Sequence, residues 1–205
     1  LETVYIVDDD VTFARGMARL VEAAGWTPRT FLSAAEFLAH RHDAGAACVV
    51  LDVRMPGMKG PELHRALLER GVRLPVIFLT GHGDVPTSVD AMKHGAADFL
   101  EKPVPSEVLL ASIRAALSRD ARSRIRDAEQ GLLVARLARL SPREREVMRH
   151  VVAGRLNKQI AADLGISEKT VKAHRAKVMG KMEARSLAGL VDLCRAAGVA
   201  ATSEE

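Results

Sequence analysis

The stretch ACVVLDVRMPGMKGPELHRALLER (47–70) decides how the first half of the chain folds. Its five apolar residues, Ala47–Leu51, end on a carboxylate, Asp52. A run this short and this apolar reads as a strand buried on both faces, as in a parallel sheet. A loop with Pro56 and Gly57 follows, and Pro61–Arg70 then takes a helical pattern. Strand, loop and helix make half of a βαβ unit.

The same grammar recurs on both sides. Upstream, VYIV (4–7) precedes a helix with Phe13, Met17, Leu20, Val21 and Ala24 on one face, stopped by Gly25. A weaker strand lies near Thr27–Thr30, and Ser33 caps a helix to about His40. Downstream, VIFL (76–79) reads as a strand and Val85–His94 as a helix ended by Gly95. A strand at Ala97–Leu100 and a helix from Pro105 to about Leu117 close the pattern. Five strands alternating with five helices predict an α/β fold, a flavodoxin-like (βα)5 doubly wound parallel sheet. Ligands of such sheets bind beyond the carboxyl ends of the strands, at the topological switch point.

Polar residues fall at those ends. Asp8 and Asp9 follow the first strand, Asp52 the third, Thr80 the fourth and Lys102 the fifth. Three carboxylates at one sheet edge repel and raise one another's pKa values, which a hard divalent cation relieves. Few carboxylates with several waters suit Mg²⁺, or Mn²⁺ in its place. Lys102 supplies a positive charge and Thr80 a hydroxyl to hold a phosphoryl group opposite the metal. Asp52, at the centre, can then act as a carboxylate nucleophile. Taken singly, each of these residues is more simply a helix cap or a solvated loop side chain; five at five matching positions are not.

Composition sets the outer bounds. The chain has 205 residues, 48 % of them hydrophobic, which suffices for buried cores and excludes disorder, collagen-like repeats and a disulfide scaffold. Aromatics are only 3 %, so aliphatic cores of Ala, Leu and Val are expected. No apolar run approaches the ~20 residues that cross a bilayer, and Asp8-Asp9-Asp10 comes too early for a signal peptide. The first residue is not Met, so a leader is expected before it. Two distant cysteines, Cys48 and Cys194, fit structural thiols in a reducing cytoplasm.

The net charge of +4 is unevenly spread. Residues 1–118 carry 12 Lys+Arg against 15 Asp+Glu, a net of −3, and the remainder carries 18 against 11, a net of +7. This predicts an acidic module over 1–118 and a basic one over 140–205 that faces a polyanion. Between them, 119–139 holds Arg119, Arg122, Arg124, Arg126, Arg136 and Arg139 among Ala and Leu, with no Pro. That composition predicts a helical linker with a solvated, charged surface.

The basic module reads as a small all-α domain of four helices. Ser141, Pro142 and Glu144 form a capping box at the head of the first, which runs through Val147, Met148, Val151 and Val152 to Gly154. The second spans Asn157 to Leu164, and the turn Gly165-Ile166-Ser167 leads into the third, Glu168 to about Met182. The fourth covers roughly Ser186–Ala196. Helix, Gly-containing turn and helix form the helix-turn-helix pattern. On the third helix Val171, Val178 and Met182 share the inward stripe. Lys169, Lys172, Ala173, Ala176 and Lys177 make a narrow opposite face that fits a major groove. His174, Arg175 and Lys181 flank it, within reach of phosphates.

IVDDD (6–10), LDVRMPGMKG (51–60), FLTGHGDV (78–85) and DFLEKPV (98–104) resemble the four signature segments of response-regulator receiver domains, over residues 3–118. The intervals agree as well, with Thr80 28 residues after Asp52 and Lys102 22 after Thr80. The resemblance implies phosphoryl transfer from a cognate histidine kinase onto Asp52. It implies Mg²⁺ bound by Asp9, Asp52 and the Arg54 backbone carbonyl, with Asp8 through water. It also implies a cis Lys102-Pro103 bond and a switch in which Thr80 moves to the phosphoryl and Phe99 turns into the vacated space. The face formed by 85–117 would then pair with a second copy, giving a homodimer on phosphorylation. Arg54 and His82 stand where the family tunes the phosphoryl lifetime. TGHGDVP (80–86) is closest to the FixJ-like subgroup.

SPREREV…NKQIAADLGISEKTVKAHRAKVMGKM is similar to the LuxR/NarL-type output domain, over 139–195. Asn157, Lys158, Thr170, Lys172, His174 and Lys177 occupy positions that commonly touch DNA in that family, and Ala176 is short where some relatives read a base. Together the two resemblances imply a cytoplasmic two-component transcription factor with no membrane contact. It would bind double-stranded promoter DNA and work with RNA polymerase. Two other classes stay open on sequence alone. A phosphatase using Asp52 would carry a second acid where this chain has Arg54. A DNA-binding protein independent of phosphorylation would keep the pocket for structure only, although every receiver pocket residue is present.

Overall fold

The computed structural model describes residues 2–41, 45–81 and 95–198. The chain forms two compact units, Leu1–Arg124 and Ile125–Glu205, and each is described by itself.

The first unit is built on a five-stranded parallel sheet: β1 (Thr3–Val7), β2 (Thr27–Phe31), β3 (Ala47–Asp52), β4 (Val76–Thr80) and β5 (Asp98–Glu101). The spatial order is β2-β1-β3-β4-β5. This is the doubly wound order predicted, with its switch point between β1 and β3. β1, β3 and β4 are buried at every position, because helices cover both faces of a parallel sheet. Pairing is Val7 with Leu51 and Asp52 with Leu79, so Asp8 and Asp52 leave neighbouring strands at the same edge.

Alternation along the strands separates two cores. Tyr5, Val7, Val49, Leu51 and Phe78 face one side, with Leu63 and Leu67. Val4, Ile6, Val50, Ile77 and Leu79 face the other, with Met17, Val21, Leu109 and Ile113. The expectation of purely aliphatic cores is corrected on the first side. There Tyr5, Phe31 and Phe37 meet with centroids 5.1–6.1 Å apart, close enough for tilted and edge-on ring contacts.

The helices are α1 (Val11–Ala23), α2 (Ala34–Ala39), α3 (Gly60–Glu69) and α4 (Ser106–Ala138). Asp10 caps α1 by accepting from Thr12 and Phe13 N–H, and Gly25 at φ +88° ends the turn after it. Ser33 caps α2 as expected. The expected helix over Val85–His94 lies outside the described residues, as does His82.

α4 departs from expectation. The helix expected to end near Leu117 and the helical linker expected over 119–139 form one helix of 33 residues without a break. Nothing in 106–130 interrupts it, since the stretch holds neither Pro nor Gly. Asp120, 5 % exposed, fixes it by accepting from the Ala47 N–H at 2.9 Å and Arg124 Nε at 2.6 Å. The first N–H of β3 is thereby satisfied from the helix.

The second unit holds the end of α4 and four helices: α5 (Pro142–Val152), α6 (Asn157–Leu164), α7 (Glu168–Met182) and α8 (Leu187–Ala196). Their core joins Leu133 and Leu140 to Val147, Met148, Ile160, Val171, Val178, Met182 and Leu190. The capping box at Ser141–Glu144 is present, and Gly165 ends α6 in the left-handed region at φ +62°. Among the described residues no helix is long and apolar enough to cross a membrane.

Candidate functional site

Two places in the molecule gather the side chains singled out above: the carboxyl edge of the sheet and the exposed face of α7.

At the sheet edge, Asp8 (3 % exposed) and Asp52 (8 % exposed) are bridged by one ammonium group. Lys102 Nζ donates to Asp8 Oδ2 at 2.7 Å and to Asp52 Oδ1 at 2.6 Å. The remaining oxygens accept from the backbone, Asp8 Oδ1 from Asp10 N–H at 2.9 Å and Asp52 Oδ2 from Arg54 N–H at 2.7 Å. The Lys102 ammonium also stands 4.0 Å over the Phe13 ring, a cation–π contact that the sequence reading missed. The Lys102 N–H donates to the Thr80 carbonyl, and its peptide bond to Pro103 is cis, as expected.

The electrostatics follow from burial and charge. Burial pushes the Asp8 carboxyl above its ordinary range, and the neighbouring Asp52 charge adds to this against the Lys102 hydrogen bond. Burial alone would lower the Lys102 ammonium, yet its bonds to Asp52 and Asp8 outweigh that and hold it above normal. Two acids thus share one base.

Thr80 is 3 % exposed at the end of β4, and its hydroxyl donates to the Gly81 carbonyl at 2.9 Å. Phe99 pairs with Phe78 across β4 and β5, with ring centroids 6.0 Å apart, and is half-buried. Asp9 is exposed next to Asp8 and takes no part in the bonds that join Asp8, Asp52 and Lys102. Among the described residues no group of three His, Cys, Asp or Glu converges at metal-binding distance. The structure therefore unites Asp8, Asp52 and Lys102, sets Thr80 at the adjoining strand end and leaves Asp9 outside the cluster.

One residue here carries no chemistry yet shapes the site. Gly60, the first residue of α3, donates to the Val53 carbonyl, and a side chain on it would meet the Asp52 carbonyl oxygen. The second glycine of MPGMKG was the available signal.

On α7, Val171, Val178 and Met182 are buried as predicted. Lys169, Thr170, Lys172, Ala173, Ala176 and Lys177 are exposed, as is Lys158 on α6. His174 and Arg175 are half-buried. Arg175 Nη1 donates to Asn157 Oδ1 at 2.7 Å, which ties α7 to the start of α6. Lys181 bonds the buried Glu144 at 2.6 Å, and this bond holds the Glu144 carboxyl down at about 2. That internal ion pair was not visible in the sequence, where Lys181 reads as a surface cation.

Comparison with known proteins gives two family matches: the response regulator receiver domain over residues 4–114, and the bacterial regulatory proteins of the luxR family over 138–194. Transcriptional regulatory protein FixJ of Azorhizobium caulinodans is 46 % identical over 197 residues, covering 96 % of this chain and 93 % of the relative. Nodulation protein W of Bradyrhizobium diazoefficiens is 42 % identical over 202 residues, covering 98 % and 89 %. Among solved structures, response regulator StyR superposes with a TM-score of 0.89 at 43 % identity, covering 95 % of this chain and 98 % of that one. Full-length FixJ from B. japonicum gives 0.59 at 42 % identity, covering 96 % and 97 %.

Proposed function

The chain belongs to the two-component response regulators that join a receiver domain to a LuxR-type DNA-binding domain, transcription factors rather than dedicated enzymes, and on that premise we propose that Asp52 is its phosphoacceptor. The observation that carries this reading is the placement of Asp52 and Asp8 on either side of Lys102 Nζ at the switch-point edge. An Asp52 oxygen would attack the phosphorus of a kinase phosphohistidine, forming the acyl phosphate as the P–N bond breaks and imidazole leaves. Lys102 would then balance charge on the phosphoryl oxygens. The Thr80 hydroxyl would turn from Gly81 to the phosphoryl, and Phe99 into the space released.

The donor chemistry fits a hard cation, since every candidate ligand is an oxygen and Asp8 and Asp52 share a single ammonium group. Asp8, Asp9, Asp52 and the Arg54 backbone carbonyl would hold Mg²⁺ or Mn²⁺. Bound there, it supplies positive charge to the phosphoryl oxygens and lets two acids stay ionised.

Phosphorylation would alter the face formed by 85–117, of which 95–117 are described, and pair two copies. We assign 1–118 to the receiver, 119–139 to a helical linker and 140–205 to the DNA-binding domain. On promoter DNA, Lys169, Lys172, Ala173, Ala176 and Lys177 would enter the major groove. Asn157, Lys158, Thr170, His174, Arg175 and Lys181 would lie at its borders, with Lys181 acting through Glu144. The setting would be the cytoplasm, with a cognate histidine kinase upstream and RNA polymerase downstream. The test is Asp52→Asn with a small phosphodonor and Mg²⁺. Loss of acid-labile label is expected, and full labelling of the variant would place the phosphoryl elsewhere.

A further inference from the structure

Asn157, the first residue of α6, and Arg175, midway along α7, are bonded to each other. Arg175 Nη1 donates to Asn157 Oδ1 at 2.7 Å, and both side chains are half-buried. A guanidinium carries donors only, so the amide must turn its oxygen, not its nitrogen, toward Arg175. The nitrogen lies on the other branch of the planar amide. Among the described residues Asn157 Nδ2 has no hydrogen-bond partner, and it is open to solvent. An unrestrained amide could offer either end to an approaching anion. Its N–H groups would bond a phosphate oxygen, whereas its own oxygen would repel one. The bond to Arg175 removes that choice.

We propose that Arg175 is a positioning residue. It holds Asn157 with its amide N–H groups outward, as neutral donors to a DNA phosphate, and does not touch the DNA itself. The inference rests on the proposed binding of DNA by the α7 face and assigns how the start of α6 serves it. In helix-turn-helix docking the helix before the reading helix crosses the phosphate backbone, and α6 holds that place in the chain. Lys158, the next residue, is exposed and brings the charge. Asn157 brings direction, since contacts to phosphate set where a protein sits on the duplex. Being neutral, it also leaves a distinct signature. A cation that neutralises a phosphate releases counterions and steepens the salt dependence of binding, which an amide does not.

DNA binding by the full chain tests this. The wild-type chain, treated with a small phosphodonor and Mg²⁺, first selects duplexes from a random-sequence pool, and a selected duplex is the probe for every variant. Arg175→Met, which keeps an apolar stem, and Asn157→Ala should each weaken binding about tenfold, as for one hydrogen bond to a charged group. Both remove the same contact, so the double variant should bind no more weakly than Asn157→Ala alone. The slope of log affinity against log salt should match the wild type in all three. Asn157→Asp separates positioning from bracing. Its carboxylate keeps the bond to Arg175 as an ion pair but sets an oxygen where the N–H groups stood. This variant should unfold no more easily than wild type, yet bind the duplex at least about tenfold more weakly.

Losses that add in the double variant, or a salt slope shallower by ~0.9 in Arg175→Met, put Arg175 on a phosphate and overturn the inference. Wild-type affinity in Asn157→Asp also overturns it, because the bond is then only a brace between helices. Either result leaves the α7 face standing as the DNA surface. A wild-type chain that selects no duplex overturns that face and the inference with it.

Discussion

Replacing Gly60 by Ala asks whether close packing at α3 sets the position of Asp52. A Cβ built on Gly60 falls well inside contact of the Asp52 carbonyl oxygen, 3.1 Å from Val53 Cα and 3.2 Å from the Asp52 carbonyl carbon. All three are main-chain atoms, so no side chain can rotate away. Carbon atoms are comfortable at ~3.5–4.0 Å. Either α3 or the Asp52–Val53 peptide must therefore move by several tenths of an ångström. Overpacking of this kind costs ~1–3 kcal/mol, whereas Gly to Ala inside a helix ordinarily gains ~1 kcal/mol. The clash should win, and the receiver should lose ~1–2 kcal/mol. Gly131→Ala is the control, because it lies in the same protein, a Cβ added there would meet nothing within 4 Å, and it should stabilise instead. Denaturant unfolding of both variants reads the sign. The phosphorylation rate reads the geometry, since a displacement of ~1 Å at a reacting group can cost ~100-fold. A Gly60→Ala protein as stable and as quickly phosphorylated as wild type would refute the idea that this contact positions Asp52.

Three further outcomes are expected. The Glu144 carboxyl is held at about 2, below its ordinary 4.5, chiefly by Lys181 and then by the Ser141 N–H. Its contribution is therefore complete above pH 4.5 and is lost as pH falls toward 2. Lys181→Met should flatten that acid limb of thermal unfolding and cost ~1–3 kcal/mol near neutrality. This is below the ~3–5 of a fully buried pair, because Lys181 keeps 34 % of its side chain exposed; an unaltered acid limb would show the pair idle. Asp120→Ala leaves the Ala47 N–H without its acceptor and should destabilise the receiver by ~1–3 kcal/mol, measured by denaturant unfolding, with protection of the Ala47 amide from hydrogen exchange lost first. Lys172→Ala should weaken DNA binding by ~1–3 kcal/mol if it reads a base edge. Affinity of the wild type should fall steeply with salt, and a flat salt titration would remove the α7 face from the interface.

What the sequence made legible was local. β1, β3 and β4 are unbroken apolar runs because both sheet faces are covered, and α7 begins and ends on its own signals, Gly165, Ser167 and a buried Met182. What stayed hidden depends on partners far along the chain. The tie between Asp120 and the Ala47 N–H, 73 residues apart, has no signal in the sequence. Lys181 reads as a phosphate contact until the fold brings Glu144, 37 residues upstream, beneath it.

The acidic site shows the same limit, and its chemistry turns on it. Strand ends alone place Asp8, Asp9, Asp52, Thr80 and Lys102 at one edge, which suggests three carboxylates awaiting a cation. In the folded chain one cation already stands among them, the Lys102 ammonium, divided between Asp8 and Asp52. On the proposed reading that division cannot persist. Once Asp52 is an acyl phosphate, its bonded oxygen is a poor acceptor and the added phosphoryl oxygens bring more negative charge than the carboxylate they replace. Lys102 must follow that charge, and Asp8, buried and already pushed toward its neutral form, would lose its partner. Either Asp8 takes up a proton or a divalent cation takes the place of Lys102 beside it. On the proposed reading a divalent cation takes that place, and Asp8→Asn should relax the dependence of phosphorylation on it while slowing the reaction. A variant with an unaltered dependence of rate on Mg²⁺ concentration would remove Asp8 from the metal's surroundings.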